Sequence, residues 1–346
     1  MIHLQRSLIE GLPSPTPNIV CKALQNAVEL EHATIPVYLY GLYSLDPAKN
    51  ATIVDIIQSV VVEEMLHMTL ASNVLNALGG SPSIDTPSFI PTYPGPLPGG
   101  VESGLTVHLM PLSSDQLMTY LQIEQPGHPL DIPGDAPSDD DGITIGEFYA
   151  AISAAIETLG DGAFANPPRN QVDSSLVPGA IVVTNVATAR TAIQTIIDQG
   201  EGTSTSPEET AGGDEPAHYY RFMQIFAGGM LEPAPGQTPP WAYSGAPVLL
   251  DVDGVHPLPN DPKAAEYPAG SAQAFANDNF NYTYTSLLKV LHDLFNGQNN
   301  QVQMNSAIGL MMSLKGQAKA MMAGMPNPSG PYTGPSFEYQ PVNPAS

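Results

Sequence analysis

The sequence ATIVDIIQSVVVEEMLHMTLASNVLNALGGSP occupies residues 51–82 and decides the fold. It predicts a helix over 51–78, because the following Gly-Gly and Pro are typical of a helix end. Within it, Glu64 and His67 stand three residues apart, one turn along one helix face. Carboxylate and imidazole can therefore point at one spot, which is the arrangement of a metal-ligand pair.

A second Glu-x-x-His occurs at 215–218, in a segment predicted to be helical over 214–227. Each copy follows a predicted helix that carries an acidic residue, one over 17–45 and one over 143–160. The order Glu, ExxH, Glu, ExxH is the ligand order of a two-metal carboxylate site inside a four-helix bundle. The predicted metal ligands are Glu31, Glu64, His67, Glu147, Glu215 and His218.

Other acids compete for three of these positions: Glu29 for Glu31, Glu63 for Glu64, and Glu157 for Glu147. Glu31 is favoured because it shares a helix face with Ile35, whereas Glu29 is turned away from that face. Glu64 is favoured because only it has a histidine three residues later. Glu147 is favoured because apolar residues surround it. Arg221 pairs either with an acid behind the ligands or in a purely structural salt bridge, and both remain open.

The rest of the chain is predicted to be helices joined by long loops in one domain over 1–346. Additional helices are predicted at 113–125, 181–200, 271–296 and 300–324, long Pro/Gly-rich loops at 79–142 and 228–270, and a Pro-rich tail at 325–346. A short strand is expected at 105–110. Pro36 is expected to kink the first helix or end its first half.

Composition excludes several classes of protein. A net charge of −24 with only 10 Lys and Arg disfavours nucleic acid and anionic membrane surfaces as partners. The single cysteine, Cys21, permits no internal disulfide. No apolar run reaches the length of about 18 residues that a membrane span needs. These features predict a soluble, cytoplasmic protein. The acidic run 139–141 is either a cation site or a solvated loop.

The predicted ligands also favour particular metals. Ligation by carboxylates, with one imidazole for each metal, suits iron or manganese, and the lack of thiolates argues against structural zinc. About three protein ligands per metal leave open positions for O₂ or a substrate. We therefore expect two Fe ions, with Mn as the alternative.

Four stretches carry a resemblance to a known family: ELEHATIPVYLYGLYSL (29–45), EEMLHMTLASNVLNALGGSP (63–82), TIGEFYAAI (144–152) and EPAHYYRFMQI (215–225). They resemble the ferritin-like superfamily, and more narrowly the ferritin-like domain of iminophenyl-pyruvate dimer synthases. The resemblance implies an all-α, ferritin-like four-helix bundle with extra C-terminal helices and long loops. It implies the same six ligands. Members of that family couple imines of aromatic 2-oxo acids oxidatively in pigment pathways, and this chain resembles only their ferritin-like part.

Two functions are expected from these features. The first is an O₂-dependent di-iron oxidase or oxygenase of secondary metabolism that acts on a small, amino-acid-derived metabolite. The second is a metal-binding, iron-storage or detoxification protein without an organic substrate. Since no nucleotide-binding Gly-rich loop is present, an electron donor would be a separate protein. The expected assembly is a monomer or a small homo-oligomer, and no catalytic residue is assigned.

Overall fold

The structure is a computed structural model that describes residues 4–98, 105–127, 129–130, 132, 143–203, 206–208, 215–326 and 332–340. Within these residues the regular secondary structure is almost all helical, as the sequence predicts. The α-helices are α1 (Pro17–Tyr43), α2 (Ala51–Ala77), α3 (Ser114–Glu124), α4 (Ile145–Leu159), α5 (Val186–Glu201), α6 (His218–Ala227), α7 (Ala272–Phe295) and α8 (Gln301–Met322). Short 3₁₀ turns lie at Arg6–Leu8, Pro87–Phe89, Asp161–Ala163, Val252–Gly254 and Ala264–Glu266.

Helices α1 and α2 pack along each other and form the centre of the fold. The side chain of Thr16 caps α1 by accepting a hydrogen bond from the Ile19 N–H, and Pro17 occupies the first turn, where it needs no donor. Helix α1 continues through Pro36 to Tyr43, so the proline does not end the helix there. The packing of α1 on its neighbours compensates for the backbone hydrogen bond that is lost because Pro36 has no N–H.

A ring of contacts joins α1 to α2, α2 to α5, α5 to α4, and α4 back to α1. A second ring joins α1 to α2, α2 to α6, α6 to α3, and α3 back to α1, so the helix predicted over 214–227 also packs in the bundle. Helices α3 and α6 pack on each other and against the bundle, so residues of six helices surround one interior.

Helices α7 and α8 form a hairpin that packs on the outer side of α1 and α2. The described part of the C-terminal tail lies along α7. Backbone N–H groups of the tail donate to Asn277, Asn281 and Thr285 of α7. Phe337 is buried edge-to-face on Phe280, which fixes this segment to the hairpin.

Strand structure is minimal in the described residues. Strands β1 (Glu232–Pro233) and β2 (Trp241–Ala242) pair antiparallel. The strand expected at 105–110 is reduced to a single bridge between Gly95 and Val107. The acidic run 139–141 lies outside the described residues. No helix in the described part of the chain is long and apolar enough to span a membrane.

Candidate metal centre

Four of the six predicted ligands meet in the interior of the bundle. Glu31 comes from α1, Glu64 and His67 from α2, and His218 from the first position of α6. A carboxylate that the sequence did not single out, Glu124 at the end of α3, completes the group. All five side chains are at most 6% exposed. We call these five residues the acidic cluster.

The two histidines face the carboxylates in the same way. His67 Nδ1 lies 3.5 Å from Glu31 Oε2. His218 Nδ1 lies 3.0 Å from Glu64 Oε1 and 3.5 Å from Glu124 Oε2. The imidazole rings are stacked with centroids 5.2 Å apart. The cluster therefore divides into two adjacent groups, each with one imidazole and at least one carboxylate.

Each imidazole is also held from behind through its other nitrogen. His67 Nε2 lies 3.0 Å from Gln199 Oε1, and His218 Nε2 lies 3.0 Å from Glu63 Oε2. Donation from Nε2 to these oxygens leaves the Nδ1 lone pair facing the carboxylates. Outer acceptors that fix the tautomer of an imidazole are typical of metal-ligating histidines.

The environment of His218 Nδ1 is that of a ligand atom. This nitrogen is fully buried and makes no well-aligned hydrogen bond within the described structure, although Glu64 Oε1 lies 3.0 Å and Glu124 Oε2 lies 3.5 Å away. Ligand atoms of Glu64, His67 and His218 all lie within 4.8 Å of one another. A cation between them would bind this nitrogen together with the carboxylates that face it, so the residues present fit a metal site.

Two buried tyrosines hold the outer oxygens of the carboxylates. The Tyr149 hydroxyl of α4 donates to Glu31 Oε1 at 2.5 Å, and the Tyr38 hydroxyl of α1 donates to Glu124 Oε1. Burial, together with the neighbouring carboxylates, raises the pKa of both phenols well above the ordinary value. Both hydroxyls therefore keep their protons and act as fixed hydrogen-bond donors to the cluster.

An ion-pair chain extends from His218 toward the surface. Glu63 accepts from His218 and also from Arg221 Nη1 at 3.0 Å, and Arg221 Nη2 lies 3.3 Å from Glu215. Burial tends to raise the pKa of Glu63, but these hydrogen bonds and charges lower it to about 2. Glu63, the sequence alternative to Glu64, therefore stays ionised and orients an imidazole. Arg221 therefore pairs with Glu63, an acid that lies behind a candidate ligand, rather than only in a salt bridge away from the site.

Like charges are crowded in the cluster. Burial, and then the nearby charge of Glu124, raise the pKa of Glu64 well above its ordinary value. Burial also acts to raise the pKa of Glu31, but hydrogen bonds from His67, Glu64 and Tyr149 bring it below the ordinary value. The protein thus lacks enough positive charge of its own to keep every carboxylate ionised, and divalent cations would supply it.

Glu147 does not reach the cluster. It occupies the third position of α4, where its carboxylate accepts from the Thr144 N–H while the Thr144 hydroxyl accepts from the Glu147 N–H. This reciprocal capping box holds the side chain at the exposed helix end. Its alternative, Glu157, is also exposed and pairs with Arg190. Helix α4 contributes Tyr149 to the cluster in place of an acid.

Glu215 is also outside the cluster, with its side chain 69% exposed. Helix α6 begins only at His218, so residues 215–217 are not helical and the two residues of the second Glu-x-x-His do not share a helix face. Pro216, between them, makes a bridge to Glu208 instead. The helix predicted from residue 214 thus begins four residues later.

A small cavity of about 20 Å³ adjoins the cluster. Glu31, Glu64, His67 and Glu124 line it, together with Glu201 near the end of α5. A space of this size holds one water-sized molecule. Burial raises the pKa of Glu201 to about 7, and its carboxylate accepts from the Gly146 N–H at 2.7 Å. A side chain at position 146 would collide with that carboxylate, which explains the glycine.

Comparison with known proteins gives consistent results. The model of the family described as Ferritin-like matches residues 24–227, more than half of the chain. A solved ferritin-like protein from Caulobacter vibrioides is similar at 25% identity with a TM-score of 0.62, over 92% of this chain and 97% of that one. No curated protein matches the chain. The matched range contains every residue of the acidic cluster.

Proposed function

Since the chain belongs to the ferritin-like family, we propose that the acidic cluster holds two metal ions, with iron favoured over manganese, and that the protein is an O₂-dependent oxidase or oxygenase. The substrate class that we propose is a small, amino-acid-derived metabolite. This narrower part rests on the resemblance to the ferritin-like portion of iminophenyl-pyruvate dimer synthases.

One observation carries the proposal: two imidazoles present their Nδ1 atoms to three buried carboxylates at 3.0–3.5 Å. His67 and Glu31 form one group of ligands, and His218 with Glu124 forms the other. Glu64, which lies close to both histidines, would help to hold both ions. Oxygen-rich ligation with one imidazole per metal suits iron and manganese.

When bound, a pair of redox-active metals supplies the electrons for reducing O₂. The side chains of the chain then have three tasks. Gln199 and Glu63 contact Nε2 of each imidazole and keep Nδ1 aimed at the cluster. Tyr149 and Tyr38 hold the carboxylates and keep protons beside them. Apolar packing around the cavity excludes bulk water.

The cavity beside the cluster is too small for an organic molecule. Its volume of about 20 Å³ holds one water-sized molecule. An organic substrate can enter this cavity only if side chains that line it move aside. Otherwise it binds outside the cavity and exchanges electrons with the metal ions through the cavity wall. We further propose that a separate protein supplies electrons where the reaction needs them, and that the chain acts in the cytoplasm as a monomer or small homo-oligomer.

The proposal is tested with protein purified without oxygen, loaded with Fe²⁺ and then exposed to O₂. We expect about two iron ions per chain, consumption of O₂, and a change in near-ultraviolet absorption. Glu64→Gln should abolish all three. Glu147→Gln, a matched control with an exposed acid, should change none of them.

Iron uptake without any O₂ consumption would refute the proposed oxidase or oxygenase function and would support metal binding alone. Iron taken up in large excess over two ions per chain, in an assembly far larger than a small oligomer, would identify storage instead. Equal loss in the Glu147→Gln and Glu64→Gln proteins would refute the assignment of the site to the acidic cluster.

A further inference from the structure

A second, much larger cavity lies between the α1–α2 pair and the α7–α8 hairpin. Its volume is about 350 Å³, within the range of small-molecule sites in proteins. On α2 it is lined by Val61, Met65 and Met68, at helical spacing. This face lies roughly 100° around α2 from the face that carries Glu64 and His67. The cavity is therefore separate from the acidic cluster.

The lining is apolar and adaptable. Leucines of α7, among them Leu288 and Leu291, form one wall, and methionines of α8, among them Met304 and Met311, form another. Unbranched methionine side chains fill irregular space and adjust to a flexible occupant. At about 30 Å³ for each small group, the volume of about 350 Å³ accommodates roughly a dozen non-hydrogen atoms.

The cavity opens to solvent at an apolar mouth. Val62, Ile308 and Met312 line it and are 54%, 40% and 67% exposed. Deeper lining residues such as Leu288 and Phe337 are at most 1% exposed. An open mouth with a buried floor is suited to an elongated molecule that enters from one end.

One cation stands among the lining residues. Lys315 of α8 is the only lysine or arginine among those that the structure describes around this cavity. Its ammonium group donates to Gln58 Oε1 at 2.9 Å, in an exposed hydrogen bond that a ligand can replace. Helix α8 carries Lys315 and Lys319 and no acid, in a chain whose net charge is −24. This helix is therefore the part of the cavity wall that attracts an anion.

From these observations we propose that the cavity binds a medium-chain anionic amphiphile, such as a carboxylate of about ten carbons, with its head group on Lys315 and its chain among the methionines and leucines. Decanoate has a dozen non-hydrogen atoms and matches the volume. This inference does not depend on the metal centre or on its chemistry.

The test is isothermal titration calorimetry with decanoate below its micellar concentration. We expect one decanoate per chain. Lys315→Met should weaken decanoate binding about two- to fivefold, as for loss of a partly exposed ion pair. Lys319→Met removes the same charge from the same helix outside the cavity and should leave binding unchanged. Neutral 1-decanol should bind the unmodified protein and the Lys315→Met variant equally.

A second pair of variants tests the location. Met311→Trp places an indole in the cavity and should abolish binding of both ligands. Val302→Trp adds the same group at a position on α8 that is 76% exposed and does not line the cavity, and it should have no effect. Circular dichroism and iron content should stay unchanged in all four variants, which separates this site from the proposed metal function.

Three results would overturn the proposal. The first is no decanoate binding by the unmodified protein. The second is an equal loss in the Lys315→Met and Lys319→Met variants. The third is a concentration-dependent dimer that dissociates in a Met312→Lys variant, which would show that a second copy of the chain covers the mouth.

Discussion

Replacing Glu124 with glutamine tests whether the metal ligands are those of the structure, which include Glu124, or those predicted from the sequence, which do not. The structure places this carboxylate 3.5 Å from His218 Nδ1, whereas the sequence pattern predicts Glu147 and Glu215 as ligands and does not include Glu124. The substitution keeps the shape of the side chain and its contact with the Tyr38 hydroxyl, and it removes one anionic ligand. Metal affinity should fall, while the fold of the metal-free protein should be retained.

The size of the effect follows from linkage. Loss of a partner behind a ligand costs about 10–100-fold in metal affinity, so loss of a ligand should cost about 100-fold or more. At saturating metal, a 100-fold loss removes about 2.7 kcal/mol of metal-dependent stability. For 346 residues, the unfolding entropy is about 0.7 kcal/mol per kelvin, so the metal-induced rise in Tm should shrink by about 4 °C.

Calorimetric scans with and without anaerobic Fe²⁺ or Mn²⁺ measure this difference. Glu147→Gln and Glu215→Gln serve as controls, since both acids are exposed and outside the cluster. A metal-induced rise in Tm that is intact in Glu124→Gln and reduced in either control would refute the placement of the ligands.

Three further outcomes are expected. Glu63→Gln should lower metal affinity about 10–100-fold, because Glu63 orients the imidazole of His218. Asp55 is an exposed acid on the same helix, so Asp55→Asn should leave the affinity unchanged. Metal titration measures both variants. Because burial raises the pKa of Glu201 from 4.5 to about 7, the folded state holds the extra proton, and stability of the metal-free protein should fall by about 3 kcal/mol as pH rises through that window. Denaturant titrations should show that this part of the pH dependence is lost in Glu201→Gln, while the part due to the raised pKa of Glu64 remains. Phe337→Ala should cost about 3–5 kcal/mol in the same assay, against under about 1 kcal/mol for Phe226→Ala, which is 41% exposed.

The sequence predicted the all-helical fold and the first half of the site because local rules governed both. Along α2, the three-residue spacing of Glu64 and His67 places both side chains on one face of an uninterrupted helix. Along α1, apolar neighbours identify the face of Glu31. Each of these inferences needs only the geometry of a single helix.

The second half of the site could not be predicted in the same way. The spacing of Glu215 and His218 carries no geometric meaning, because α6 starts at His218. Thr144-Ile145-Gly146-Glu147 is itself a capping-box sequence, and that local signal identified the helix end rather than a ligand.

Glu124 lies in a short helix with no histidine three residues later. Its place in the cluster depends on how α3 packs against α6 and α1, which is tertiary information. A partial signal exists, since Glu124 ends a helix whose neighbouring Leu121 and Ile123 are buried. An acid at the end of an apolar helix predicts burial of that acid, but it does not specify the partners.

Anomalous diffraction at the iron edge, from crystals grown with Fe²⁺ without oxygen, tests the central claim most directly. We expect two peaks about 3.5–4 Å apart, one beside His67 and Glu31 and one beside His218 and Glu124, with Glu64 between them. Peaks at Glu147 or Glu215, or a cluster that stays free of iron under saturating metal, would contradict the account.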